Sequence, residues 1–297
     1  MPELKNTERN DTEAALQESH PTVGIVGLGV MGGSFASRLH QLGFRVIGFD
    51  QDEQVLSYAL EHDMIDQGAA SPEKLLPECD LVIFCLYPAK IAAWIEEEHD
   101  HFKKGALLLE ISGVKSSVAD ELQKAAGKDL ALVSVHPMCG RESRGIQFAS
   151  PNIFKGSNFI IIDYGNSDQT RMEQARKLAE LMEFGKISVL SPEEHDRMIG
   201  FLSQLTHVIA VCLMNTHENS HLVEYTGDSF RDLTRIARIN ESMWPELFLL
   251  NKEILLEEIT AFEEAVDHFK KALEEDDREE MSRLMVQSTK RRELFER

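Results

Sequence analysis

The sequence predicts an α/β protein: a doubly wound, mainly parallel sheet followed by an all-helical C-terminal domain. Three observations lead there. Residues 22–33 are a β-rich run that breaks into glycines and then a helical pattern. Short apolar runs alternate with helical patterns from there to Leu190. From Ser191 onward apolar residues recur only at helical spacing. The expected division is a disordered polar tail over residues 1–20, a sheet domain over 21–190 and a helical domain over 191–297.

The opening run, Val23 to Val26, leads into Gly27, Gly29 and Gly32, which have GxGxxG spacing. The first glycine permits a tight turn, the second lets a pyrophosphate approach the backbone, and the third lets helix pack closely on strand. A strand over 44–49 then ends in Asp50, eighteen residues after Gly32. A carboxylate there accepts the ribose hydroxyls of NAD and repels a 2′-phosphate. No arginine follows in residues 51–54, so NAD is expected in preference to NADP, on a Rossmann-type domain.

The rhythm continues with strands at 80–86, 106–111 and 130–135 and helices at 89–101 and 116–126. The third of these strands delivers His136 to its carboxyl end, where ligands of doubly wound sheets sit. A strand at 158–163, a helix over about 169–184 and a short strand at 187–190 complete the sheet domain. Ser191 and Pro192 then read as N-cap and first residue of a helix. The apolar content beyond, including residues 247–250 and 254–255, exceeds what one helix needs for one neighbour, so a homodimer through the helical domain is expected.

Composition narrows the function. With 42% hydrophobic and 28% charged residues the chain is an ordinary globular one, and a formal net charge of -20 argues against nucleic-acid and anionic-membrane partners. Four cysteines without CxxC spacing suggest reduced thiols and a cytoplasmic protein. The apolar stretch 81–95 is interrupted by Pro88 and Lys90, so no membrane span is expected. The string from His217 to His221 satisfies HExxH, with both histidines on one helix face, but no third ligand follows at a suitable spacing, and no metal is expected.

His136 begins the run His136 Pro137 Met138 Cys139 Gly140 Arg141 Glu142. Together with the cofactor motif it resembles the prephenate and arogenate dehydrogenases of tyrosine biosynthesis, in which that histidine is catalytic. Ahead of it that family carries an acidic residue, Gly or Ala, Ser, Val and Lys; here Glu110 to Lys115 has Ser112 and Gly113 exchanged. The resemblance implies Ser112, or in reserve Ser116, as the hydroxyl beside His136, and Glu142 at the substrate. Residues 203–207 are similar to the helix that lines the family's substrate pocket, with Gln204 and His207 three apart on one face.

Residues 227–237 resemble the family's Phe-(Lys or Arg)-Asp-x-Thr-Arg-Ile-Ala signature, whose arginine, here Arg235, holds a substrate carboxylate. Arg231, Arg235 and Arg238 at i, i+4 and i+7 would share a helix face, and a guanidinium fork suits a carboxylate. Asp228 either pairs with an arogenate ammonium or caps that helix. The implied reaction is oxidative decarboxylation of prephenate to 4-hydroxyphenylpyruvate. The alternatives are arogenate as substrate and a catalytically silent NAD-binding sensor. β-Hydroxyacid dehydrogenases share the glycine string but need a lysine that residues 200–215 lack.

Overall fold

The computed structural model describes residues 21–128, 130–140, 143–218 and 220–296. The expected N-terminal tail, and Glu142 with it, lie outside the described residues. Eight strands form one sheet: β1 (Thr22–Val26), β2 (Arg45–Phe49), β3 (Gln67–Ala69), β4 (Leu81–Phe84), β5 (Leu107–Glu110), β6 (Ala131–Met138), β7 (Asn158–Ile162) and β8 (Ile187–Leu190), in the order β3-β2-β1-β4-β5-β6-β7-β8. Every pairing is parallel except β6 with β7.

Helices cover both faces, which is why the central strands are apolar throughout rather than alternating. Beside α1 (Val30–Gln41) and α5 (Gln169–Leu181), Ile25, Ile83 and Leu109 pack with Phe35, Leu39 and Ala175. On the other face, Val82, Phe84 and Leu108 meet Ile91 of α3 (Pro88–Glu97) and Leu122 of α4 (Ala119–Ala126). Each large side chain so buried contributes about 1.5–3 kcal/mol. α2 (Glu53–Glu61) lies between β2 and β3 in the chain, and is capped by Asp52 through Gln54 N.

Every element after Leu190 among the described residues is helical. α6 (Pro192–Ile199) opens on a capping box in which Ser191 and Glu194 satisfy each other's backbone amides. It runs through a π-helical stretch, Gly200–Leu205, into α7 (Thr206–Met214). The others are α8 (Asp228–Thr234), α9 (Trp244–Leu250), α10 (Lys252–Glu274) and α11 (Arg278–Arg292). A Cβ on Gly200 would lie 2.7 Å from Ile254 Cγ2, so the absence of a side chain there lets the π-stretch lie against α10.

Two expectations need correction. One helix, Pro192–Met214, is long and apolar enough to cross a membrane, where none was anticipated. It buries His195, Asp196 and Gln204 in polar contacts with other elements, and such groups are rare in a membrane span. The HExxH histidines do not share a helix, because α7 stops at Met214 and a 3-10 turn begins only at Ser220.

Candidate active site

The nucleotide cradle is built by the turn between β1 and α1. Gly27 takes φ +86°, and a Cβ on Gly32 would stand 1.8 Å from Gly27 O, so helix and turn approach to a distance only glycine allows. A Cβ on Gly29 meets nothing within 4 Å: this is open space over the start of α1. Gly29 is also the N-cap and makes no side-chain hydrogen bond, and the first turn holds no acidic residue. The free amides there suit a pyrophosphate. Asp50 follows β2 and reaches back to the turn, Oδ2 accepting from Leu28 N at 2.8 Å and Oδ1 from Asp52 N at 3.0 Å. Each oxygen keeps a lone pair for a ribose hydroxyl. The residues fit a dinucleotide.

His136 lies just past the end of the parallel sheet. β6 pairs with β5 only as far as Ser134, opposite Glu110, and from Val135 it pairs with β7, so the strand runs on to Met138 rather than stopping at Val135. The His136 ring is half-buried, and its Nδ1 sits 2.8 Å from Nε2 of the fully buried His195. His195 Nδ1 in turn sits 2.8 Å from Asp196 Oδ1. Asp196 also accepts the backbone amides of Lys115 (2.9 Å) and Ser116 (2.8 Å). Burial, reinforced by His195 and Lys115, holds the His136 imidazole well below its ordinary range, so it is neutral at neutral pH. Burial also depresses His195, against the opposing pull of Asp196.

Beneath these rings is a buried ion pair. Lys115 Nζ contacts Glu110 Oε1 at 2.6 Å and donates to Val135 O at 2.8 Å, with neither side chain exposed. Burial pulls the Lys115 ammonium down, while the Glu110 carboxylate pulls it up. Ser134 Oγ bonds Tyr164 Oη at 2.8 Å, and burial drives that phenol above its usual range. Burial raises the thiol of nearby Cys139 to about 12, so it is no nucleophile.

The other expected site residues divide. Ser112 is buried, and its Oγ lies on Glu110 Oε2 and Val114 O. Ser116 is exposed, with its backbone amide on Asp196. Gln204 is 1% exposed; its amide nitrogen donates to Leu247 O and its oxygen accepts from Asn251, which also donates to Asp196 O. Both ends of its amide are thus taken up inside the protein, within the π-helical stretch. His207 stacks on Trp244 at 3.9 Å between ring centroids, with Nδ1 bonded to Ser203 O.

Arg231, Arg235 and Arg238 do not share a helix face. α8 ends at Thr234, Arg235 starts a 3-10 turn and Arg238 lies beyond it. Arg231 pairs with Asp228 at 3.4 Å, both exposed. Arg235 is exposed. His195 and Asp196 were not anticipated. Their one signal was a histidine and an aspartate side by side just after the helix start at Ser191 and Pro192.

A nucleotide cradle beside a neutral imidazole at the strand ends defines an oxidoreductase on a nucleotide-binding domain. The prephenate dehydrogenase nucleotide-binding domain matches residues 35–188, and the prephenate dehydrogenase dimerization domain matches 191–287. The chain belongs to the prephenate dehydrogenase family. It is 27% identical over 277 residues to prephenate dehydrogenase of Bacillus subtilis, spanning 90% of this chain and 74% of that protein. It superposes on prephenate dehydrogenase from A. aeolicus, solved with hydroxyphenyl propionate and NAD+, with TM-score 0.85 and 28% identity over 93% of this chain and 98% of that one. Synechocystis arogenate dehydrogenase shares the fold, with TM-score 0.77 and 21% identity over 92% and 99% of the two chains.

Proposed function

We propose that the protein is an NAD-dependent prephenate dehydrogenase of tyrosine biosynthesis, working in the cytoplasm as a homodimer. The observation that carries this is a neutral His136 just past the point where β6 stops pairing with β5, in the sheet whose cradle holds Gly29 and Asp50. When bound, NAD supplies the hydride acceptor, and Asp50 favours it over NADP by receiving the ribose hydroxyls.

The hydride leaves the ring carbon that bears the hydroxyl, and His136 accepts the hydroxyl proton as that oxygen becomes a carbonyl. The bond from the ring to its carboxylate breaks, releasing carbon dioxide; its electron pair enters the ring and moves onto the carbonyl oxygen, which takes the proton back from His136 to give the phenol of 4-hydroxyphenylpyruvate. Arg235 pairs with the side-chain carboxylate that is retained. Ser112 acts through the Glu110–Lys115 pair under His136 rather than on substrate. Gly27 and Gly32 shape the cradle, and His207, stacked on Trp244, borders the substrate.

Arogenate gains no support from Asp228, whose carboxylate faces Arg231. Apolar side chains left open on the helices, among them Phe201 at 52% and Leu249 at 70% exposure, would be covered by the second subunit.

Supplying prephenate or arogenate with NAD or NADP, and following absorbance of the reduced nicotinamide and the aromatic product, tests the reading. Prephenate with NAD should be the best pair. Nucleotide binding without reduction on either substrate would overturn the assignment in favour of a sensor.

A further inference from the structure

We infer that His195, held by Asp196, is a positioning residue that sets the tautomer of His136 and leaves the unprotonated nitrogen of that ring free for substrate. The inference rests on the prephenate dehydrogenase reading, because it gives a role within that reaction. It follows from a chain of donors with one consistent direction.

Asp196 accepts three hydrogen bonds, from the His195 ring, Ser116 N and Lys115 N, and the contacts with His195 and Ser116 hold its carboxyl below the ordinary range despite burial. An ionised carboxylate has no proton to give, so His195 Nδ1 brings the proton. Burial keeps His195 neutral, and a neutral imidazole protonated at Nδ1 carries a lone pair at Nε2. That lone pair faces His136 Nδ1 at 2.8 Å, so His136 Nδ1 must donate. The neutral His136 ring then has its lone pair at Nε2, the nitrogen a general base needs toward an incoming hydroxyl.

The arrangement is held on both sides. The backbone amides at 115 and 116 fix Asp196 from the sheet domain. From the helical domain, Asn251 Nδ2 bonds Asp196 O at 3.0 Å and Gln204 Oε1 at 2.7 Å, and Gln204 ties on to Leu247 O at 3.0 Å. The helix that opens the second domain therefore does more than cover the sheet: it brings an acceptor to the inner edge of the base. Without His195 the inner nitrogen of His136 loses its partner, and the ring can protonate at Nε2 and present a donor where the reaction needs an acceptor.

Two measurements on the full chain test this. In nitrogen-15 imidazole spectra, with His136 signals identified by their loss in His136→Asn, the wild type should show Nδ1 protonated and Nε2 unprotonated. The opposite pattern overturns the proposal whatever the kinetics. In steady-state assays, His195→Leu should lower kcat about 10–100-fold with KM for prephenate within about twofold. His195→Gln can donate to Asp196 and accept from His136 in the same order, and should stay within about fivefold of wild type. Loss of equal size in both variants, or near-normal kcat in His195→Leu, would reduce His195 to packing and overturn the proposal. A wild type that oxidises neither prephenate nor arogenate sinks the functional reading instead, while the spectra still decide the tautomer. Should His195→Leu fail to fold, the wild-type spectra and His195→Gln decide the matter.

Discussion

Asp50→Asn isolates what the carboxylate after β2 does. In the native turn one oxygen accepts Leu28 N and the other Asp52 N. Asparagine keeps the shape but has a single acceptor oxygen, so one of those amides faces an NH2 group and the turn loses about 1–3 kcal/mol. The charge-assisted bonds to the ribose hydroxyls weaken by a further 1.5–3 kcal/mol or so, roughly a 10–150-fold loss of NAD affinity. NADP gains from the same change. Two unit charges about 4 Å apart repel by about 1 kcal/mol in water and about 4 kcal/mol at an effective dielectric of 20; Asp50 is half-buried, so the relief lies toward the lower figure.

The ratio of kcat/KM for NAD to that for NADP should therefore fall by about 10²–10³, mostly through KM. Initial rates of nicotinamide reduction at saturating prephenate, with each dinucleotide varied, give the ratio directly. A thermal melt of the same sample separates binding from unfolding. A folded Asp50→Asn protein with the native ratio would show that Asp50 braces the glycine turn and does not read the ribose.

Lys115→Met should cost about 3–5 kcal/mol by leaving Glu110 buried without its cation, a fall in Tm of roughly 6–15 °C; adding Glu110→Gln should recover much of it. An unchanged Tm would refute a net contribution of the pair to stability. Arg235→Ala should raise KM for prephenate about 10–100-fold with kcat nearly unchanged, and an unaltered KM would remove the carboxylate clamp. For pH, His136 must be neutral to act and its pKa is depressed, so the acid limb of kcat should fall below the ordinary imidazole value of about 6.5. The same depression, shared by His195, gives stability that is complete above about 6.5 and is lost as pH falls toward the folded-state values, because the unfolded chain then binds more protons. A kcat that halves at or above 6.5 would contradict the depression.

What could be read in advance was what short-range chemistry dictates. A glycine turn followed by a strand ending in a carboxylate is written in consecutive residues, and the turn forms at those residues with Asp50 bonded back to it. β3 left no trace because three residues, Gln67–Ala69, carry no period and hold only the sheet's edge. The readings that failed took helical spacing on trust. The end of α8 at Thr234 scatters the three arginines, and Gln204, in the π-stretch Gly200–Leu205, is engaged by Leu247 and Asn251. His195 was invisible for another reason: it lies 59 residues from its partner His136, and the crossing of one helix over the strand ends joins them.

The same strand ends explain why so many charged groups are buried there. β5 stops at Glu110 and β6 runs on, so Val135 O lies beyond the last residue of β6 that pairs with β5. A buried carbonyl needs a donor, and Lys115 Nζ provides one at 2.8 Å. Bringing an ammonium there requires a counter-charge, which is the final residue of β5, Glu110, with Ser112 donating to its other oxygen. The positive charge so fixed also opposes protonation of His136. Mending the place where a parallel sheet ends and an antiparallel strand begins thus sets a positive charge beside the buried imidazole one residue further on, adding to the burial that keeps the proposed base neutral.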